Sequence, residues 1–320
     1  MIDILDAILA VGRGPRLAIV LLGISSSAAL AQPVLPSSPV PPPGNAPSAA
    51  DIVVTGKVAD PAAVDREAKS FERDLQATPV GGQLARWHSA ICPKVEGVDR
   101  LYGDMVAARI RQIARTAGAD VGRNDCRPNI VVTFTPDAKG LIASIEKRDP
   151  RALSLASPAE RAVIRSSPLP VRWWYTTLLE GIDGEQLTND SALLSNQRGI
   201  PTGRNERYLS TYTSSLIDTK FRASITDVAV VVDVPYATGR RLDAVADYAA
   251  FVALGHVRVG LRTTTTPSIL GLFDTDGTGR DTLTRWDVAY LSALYRTPAG
   301  RTADTQQNRI AAQMVSDLAK

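Results

Sequence analysis

The chain has 320 residues, 44% of them hydrophobic, which is ordinary for a globular protein with a real core and excludes disorder of the whole chain. Its 36 basic and 33 acidic residues are interspersed and leave a net charge of only +3, too balanced for a nucleic-acid-binding surface. With 5% aromatic residues and few alternating strands, it is also not a transmembrane barrel.

The N-terminus predicts export. Arg13 and Arg16 precede the apolar run "LAIVLLGI", and small residues lead to "ALA" at Ala29 to Ala31, so residues 1–31 read as a secretory signal cleaved before Gln32. The alternative is an uncleaved anchor, but Ser25, Ser26 and Ser27 break the run, which is short for a span of about 20 residues. Residues 32–60 are dense in Pro, Ser and Ala and read as a disordered, extended tether. Residues 61–320 are expected to form an α+β domain, a mixed sheet with packed helices, with two subdomains conceivable about a division near 183–207. No spanning segment is expected after signal cleavage.

Within that domain "DPAAVDREAKSFERDL" predicts a helix capped by Asp60 with Pro61 at its first position. Cys92 and Cys126 are the chain's two cysteines, and in an oxidising compartment they most simply form one disulfide. "LYGDMVAARIRQIARTAG" predicts a helix stopped by Gly118, with "RIRQIAR" as its solvated face. "NIVVTFT" alternates at period two and predicts a strand, and "SPAERAVIRS" predicts a helix capped by Ser157. In "RWWYTT" the paired tryptophans read as half-buried packing or as an aromatic binding platform. Asp183 to Arg207 reads as a long polar loop, followed by strands at "YLSTYTSSLI" and, apolar enough to be central in the sheet, "ITDVAVVVDV". "LTRWDVAYLSALY", capped by Thr284, and "TQQNRIAAQMVSDLAK" predict two terminal helices. The loop before them starts like a calcium site with Asp274, Asp276 and Gly279, yet its twelfth position is Arg285 where a bidentate Glu is needed.

Two segments resemble known families. "DIVVTGK", with Asp51, Ile52, Val53, Val54 and Thr55 at its heart, is similar to the TonB box of outer-membrane receptors. That resemblance implies strand addition to an envelope partner through Asp51 to Lys57; the alternative is an edge strand of its own domain. The stretch from Asp227 to Tyr295 resembles the C-terminal part of zincin metallopeptidases and of related secreted bacterial families of unknown function. The likeness implies a zincin-like C-terminal half.

Zincins carry H-E-x-x-H on the helix that here reads "DYAAF", which puts Asp247 and Phe251 at the histidine positions and Tyr248 at the glutamate position. The ligand frame is therefore missing. Ala244, Val245, Tyr248, Phe251, Val252 and Gly255 recur at helical spacing, so the helix reads as core, with Asp247 expected nearer the surface. No metal or other cofactor is expected. The sequence thus points to an exported, periplasmic binding or envelope accessory protein without catalysis. The alternative is a divergent metal-dependent hydrolase using Asp247 and His256.

Overall fold

The computed structural model describes residues 61–75, 79–184, 219–261, 266–274 and 280–319. In chain order its elements are α1 (Pro61–Leu75), β1 (Arg86–Trp87), β2 (Pro93–Glu96), α2 (Arg100–Ala117), β3 (Ile130–Thr135), α3 (Ala138–Arg148), α4 (Pro158–Ser166), β4 (Val171–Gly181), β5 (Phe221–Asp233), a single turn α5 (Val234–Ala237), α6 (Leu242–Gly255), a 3-10 turn (Ile269–Phe273), α7 (Arg285–Arg296) and α8 (Ala303–Leu318).

The architecture is α+β around a mixed, mostly parallel sheet. β2, α2 and β3 form a parallel strand–helix–strand unit, and β3 then pairs in parallel with β5 from Ile130↔Val228 to Thr135↔Asp233. β4 runs antiparallel along nearly the whole of β5. It takes one edge of that strand, so β1, paired at Arg86↔Ser224, and β3 share the other edge in succession. Val230, Val231, Val232 and Asp233 are all buried, so side chains on both faces of β5 are covered, as its unbroken apolar run predicts.

Helix limits follow their chemistry. Gly118 closes α2 in the left-handed region, φ 91°, and its N–H is donated to the carbonyls of Ala114 and Arg115. Ser157 with Glu160, and Thr284 with Asp287, form reciprocal capping boxes at the starts of α4 and α7. One hydrophobic cluster runs from Ala68 to Met314 and joins residues on both sides of the 183–207 segment.

The disulfide joins Cys92 to Cys126, with Cα atoms 5.9 Å apart. Asn129 reinforces it: its amide oxygen accepts from the Cys92 N–H at 2.6 Å and its amide nitrogen donates to the Ala90 carbonyl. The entry to β2 and the entry to β3 are thus fastened side by side.

Candidate functional site

From Ala244 to Gly255 every residue of α6 is buried. A helix covered all round must supply partners for any polar side chain and for its last carbonyls, which have no partner within the helix. The four final carbonyls are each met by a different aromatic donor. Tyr175 Oη donates to Val252, Trp87 Nε1 to Ala253 (2.9 Å), Tyr295 Oη to Leu254 (3.1 Å) and Tyr290 Oη to Gly255 (2.9 Å). His256 then reverses the chain in the left-handed region at φ 49°, the one non-glycine residue with positive φ among the described residues.

Asp247 is 2% exposed, which corrects the expectation that it lies nearer the surface. Its carboxylate accepts from Arg109 Nε at 2.5 Å and Arg109 Nη2 at 3.0 Å, from Thr282 Oγ1 at 2.8 Å and from the Leu283 N–H at 3.1 Å. It therefore ties α6 to α2 and to the segment entering α7. Asp287 of α7, fully buried, ties that helix to the start of the 3-10 turn, accepting from Ser268 Oγ and the Ile269 N–H as well as from its own cap residue Thr284. Arg109 belongs to the "RIRQIAR" stretch, whose Ile110 and Ile113 are core. The stretch is thus a partly solvated face from which Arg109 reaches inward to Asp247.

His256 is buried against the ring of Tyr175, centroids 4.9 Å apart, and desolvation lowers its pKa to about 4. It caps the helix that carries Asp247 two and a half turns earlier, and the two share no hydrogen bond among the described residues. His88 is likewise pushed down, to about 3, by burial and then by Arg86 and Arg222. Both imidazoles are neutral at physiological pH. Among the described residues no group of three or more His, Cys, Asp or Glu gathers as metal ligands do. Asp274 ends the 3-10 turn, Arg285 begins α7, and Asp276, Gly279 and the Asp51–Lys57 segment lie outside the described residues.

The neighbouring side chain, Tyr248, opens onto a cleft of about 220 Å³. One wall is the α4–β4 connection, Ser167 to Pro170. Arg172, itself fully buried, shapes that wall by donating to the carbonyls of Ile164, Ser167 and Leu169 while paired with Asp233 at 3.0 Å. A second wall is the turn after α6, where Gly260 (φ 80°) lies against Val163 so closely that a Cβ would sit 2.7 Å from a methyl. The floor is aromatic. Trp173 and Tyr248 meet edge to face at 6.0 Å, and Tyr248 and Phe273 at 5.2 Å. Trp173 spends its N–H on the Val257 carbonyl at 2.7 Å. No described residue bonds the Tyr248 hydroxyl; burial, with the Asp274 carboxylate nearby, raises its pKa and keeps it a donor.

A smaller cavity of about 60 Å³, lined by His256, Tyr175 and Glu160, shares Trp173 as a wall. A wider groove of about 630 Å³ lies between α2 and α6 at Met105 and Leu242, its charged groups already paired as Arg109–Asp247 and Arg241–Asp243. Of the sequence signals, "RWWYTT" pointed to this region: its tryptophans are buried, and one of them is also a cleft wall. Tyr248 and the adjacent pair Phe273 and Asp274 come from segments distant from "RWWYTT" in sequence, and nothing in the spacing marks them as its neighbours.

Comparison with protein-family models, with curated proteins and with solved structures finds no match.

Proposed function

We propose that the protein is an exported binding protein of the cell envelope, without catalysis, and that its ligand enters the cleft at Tyr248. The observation that carries this reading is the Tyr248 hydroxyl, which no described residue bonds, at a cleft lined by Trp173 and Phe273. Sites for small molecules have this character, a mostly apolar concavity with few polar groups. Asp247 supports it from the other side, since a carboxylate holding Arg109, Thr282 and Leu283 in place is committed to the fold. A likeness to zincins would then be one of scaffold without the metal chemistry.

Export is supported by the signal-like N-terminus and by the disulfide, a bond that persists in oxidising compartments. No helix among the described residues is long and apolar enough to cross a membrane. In this reading residues 32–60 are a tether, and "DIVVTGK" at Asp51 to Lys57 offers an envelope partner a strand.

The test is a thermal-shift panel of sugars, amino acids, aromatic carboxylates and organic cations, applied to the exported protein and to a cleft-blocking Ser167→Phe variant. A ligand of the native state raises the melting temperature by mass action. At least one class is expected to do so in the parent and not in the variant. No response to any class, with a melting temperature that a chelator lowers, would favour the hydrolase instead.

A further inference from the structure

We propose that the outer face of α2 is a dimerisation surface, on which α2 of a second copy of this chain docks antiparallel. Leu101, Met105, Ala108 and Gln112 follow one another at spacings of four, three and four, so they form one stripe about 17 Å long. The opposite face, with Val106, Ile110 and Ile113, is the one that packs on the domain. Leu101 is 64% and Met105 49% exposed, and Ala108 and Gln112 are exposed as well. The groove of about 630 Å³ runs beside this stripe, with Met105, Ala108 and Gln112 on one side and Leu242 and Ala246 on the other. Single surface hydrophobes need no explanation, but a leucine and a methionine one turn apart beside such a groove make a continuous apolar patch.

Charge selects a second copy and fixes its direction. Along one flank of the stripe, Asp104 stands in the first half of α2 and Arg111 and Arg115 in the second. Neither arginine forms an ion pair among the described residues, and Asp104 has only the exposed Arg100, at 3.7 Å. A two-fold axis uses the same surface of both copies, and in an antiparallel helix pair it sets each flank against itself, the first half of one helix beside the second half of the other. With the axis beside Ala108, Asp104 of one copy faces Gln112 of the other. Arg111 of that second copy then lies one residue before the facing position and Arg115 three after it, so both flank the carboxylate. The contact is made twice. A parallel pair would instead set basic half against basic half, so the charges specify the antiparallel one. Ala108, with the smallest side chain of the stripe, lets the helices approach at the axis, and Met105 of each copy enters the groove of the other at Ala108 and Gln112.

The experiment is analytical ultracentrifugation of the full exported chain from about 1 to 100 μM, the affinity range of a small interface, with a thermal melt of every variant to confirm that it folds. The parent is expected to dimerise. Met105→Glu, Asp104→Arg and the double variant Arg111→Glu/Arg115→Glu are each expected to weaken the dimer by about tenfold or more. Leu101→Glu, at the end of the stripe, reads the same surface if Met105→Glu does not melt cooperatively. An equimolar mixture of Asp104→Arg with Arg111→Glu/Arg115→Glu is expected to associate as tightly as the parent, because every arginine then meets an acid again. A parent that stays monomeric throughout, a dimer that these variants leave intact, or two monomeric variants that fail to combine when mixed would each overturn the proposal.

Discussion

Asp247 of α6 and Arg109 of α2 meet through two hydrogen bonds, 2.5 and 3.0 Å, across the packed helices, but they are not equally buried. The Asp247 side chain is 3% exposed and the Arg109 side chain 34%. Removing the arginine strands a carboxylate in the core, whereas removing the carboxylate's charge leaves the arginine access to water. Arg109→Met is therefore expected to cost about 3 to 5 kcal/mol. Asp247→Asn, which keeps an oxygen for Thr282 and Leu283, is expected to cost clearly less. Chemical denaturation of both variants checks the ranking, and the reverse order would contradict a structural role for Asp247.

The aromatic donors at the end of α6 give a second expectation. Tyr290→Phe keeps the ring, which is 1% exposed, and removes the donor to the Gly255 carbonyl. An orphaned buried carbonyl costs about 1 to 3 kcal/mol, readable in the same denaturation experiment. A loss within error of zero would mean that Gly255 finds another partner.

How far these features could be read from the sequence differs by type. Gly118, Ser157 and Thr284 act through neighbours three or four residues away, so their caps are legible locally, as is the apolar run of β5. α3 has a weak local signal: Asp137 caps it, but Gly140 in its first turn lowers helix propensity. Short β1 and β2 have too few residues to show a period. The burial of Asp247 is not legible locally, because its partner Arg109 lies 138 residues away and reads as a surface charge. The cleft was illegible for the same reason, since Trp173, Tyr248 and Phe273 converge only in the fold.

Glu72 makes stability depend on pH. It is 3% exposed, its Oε1 has no hydrogen-bond partner among the described residues, and desolvation raises its pKa to about 8. Below about pH 4.5 the carboxyl is protonated in folded and unfolded chains alike. Between there and about pH 8 the unfolded chain releases the proton and the folded chain keeps it, so this contribution to stability is lost as pH rises. Glu72→Gln is expected to flatten melting temperature against pH between 5 and 8 (roughly the titration window) and to raise it on the alkaline side. A variant with the parent's slope would contradict a protonated Glu72.

The disulfide closes a loop of sequence separation 34, which restricts the unfolded chain by roughly 3 to 4 kcal/mol in the chain-entropy model. Intact-mass analysis of exported protein is expected to show a chain starting at Gln32 with no free thiol, and reduction to lower the melting temperature. A chain retaining Met1, or two free thiols, would contradict the export reading.

The most direct measurement is a thermal melt of the natively exported protein with a chelator, then with zinc restored, run alongside Asp247→Asn. If Asp247 serves the fold and the ligand belongs at Tyr248, neither addition moves the parent's melting temperature, and Asp247→Asn shifts it downward by the same amount in both conditions. A melting temperature that falls with chelator and recovers with zinc in the parent, but not in Asp247→Asn, would make Asp247 a metal ligand and the protein a metal-dependent hydrolase.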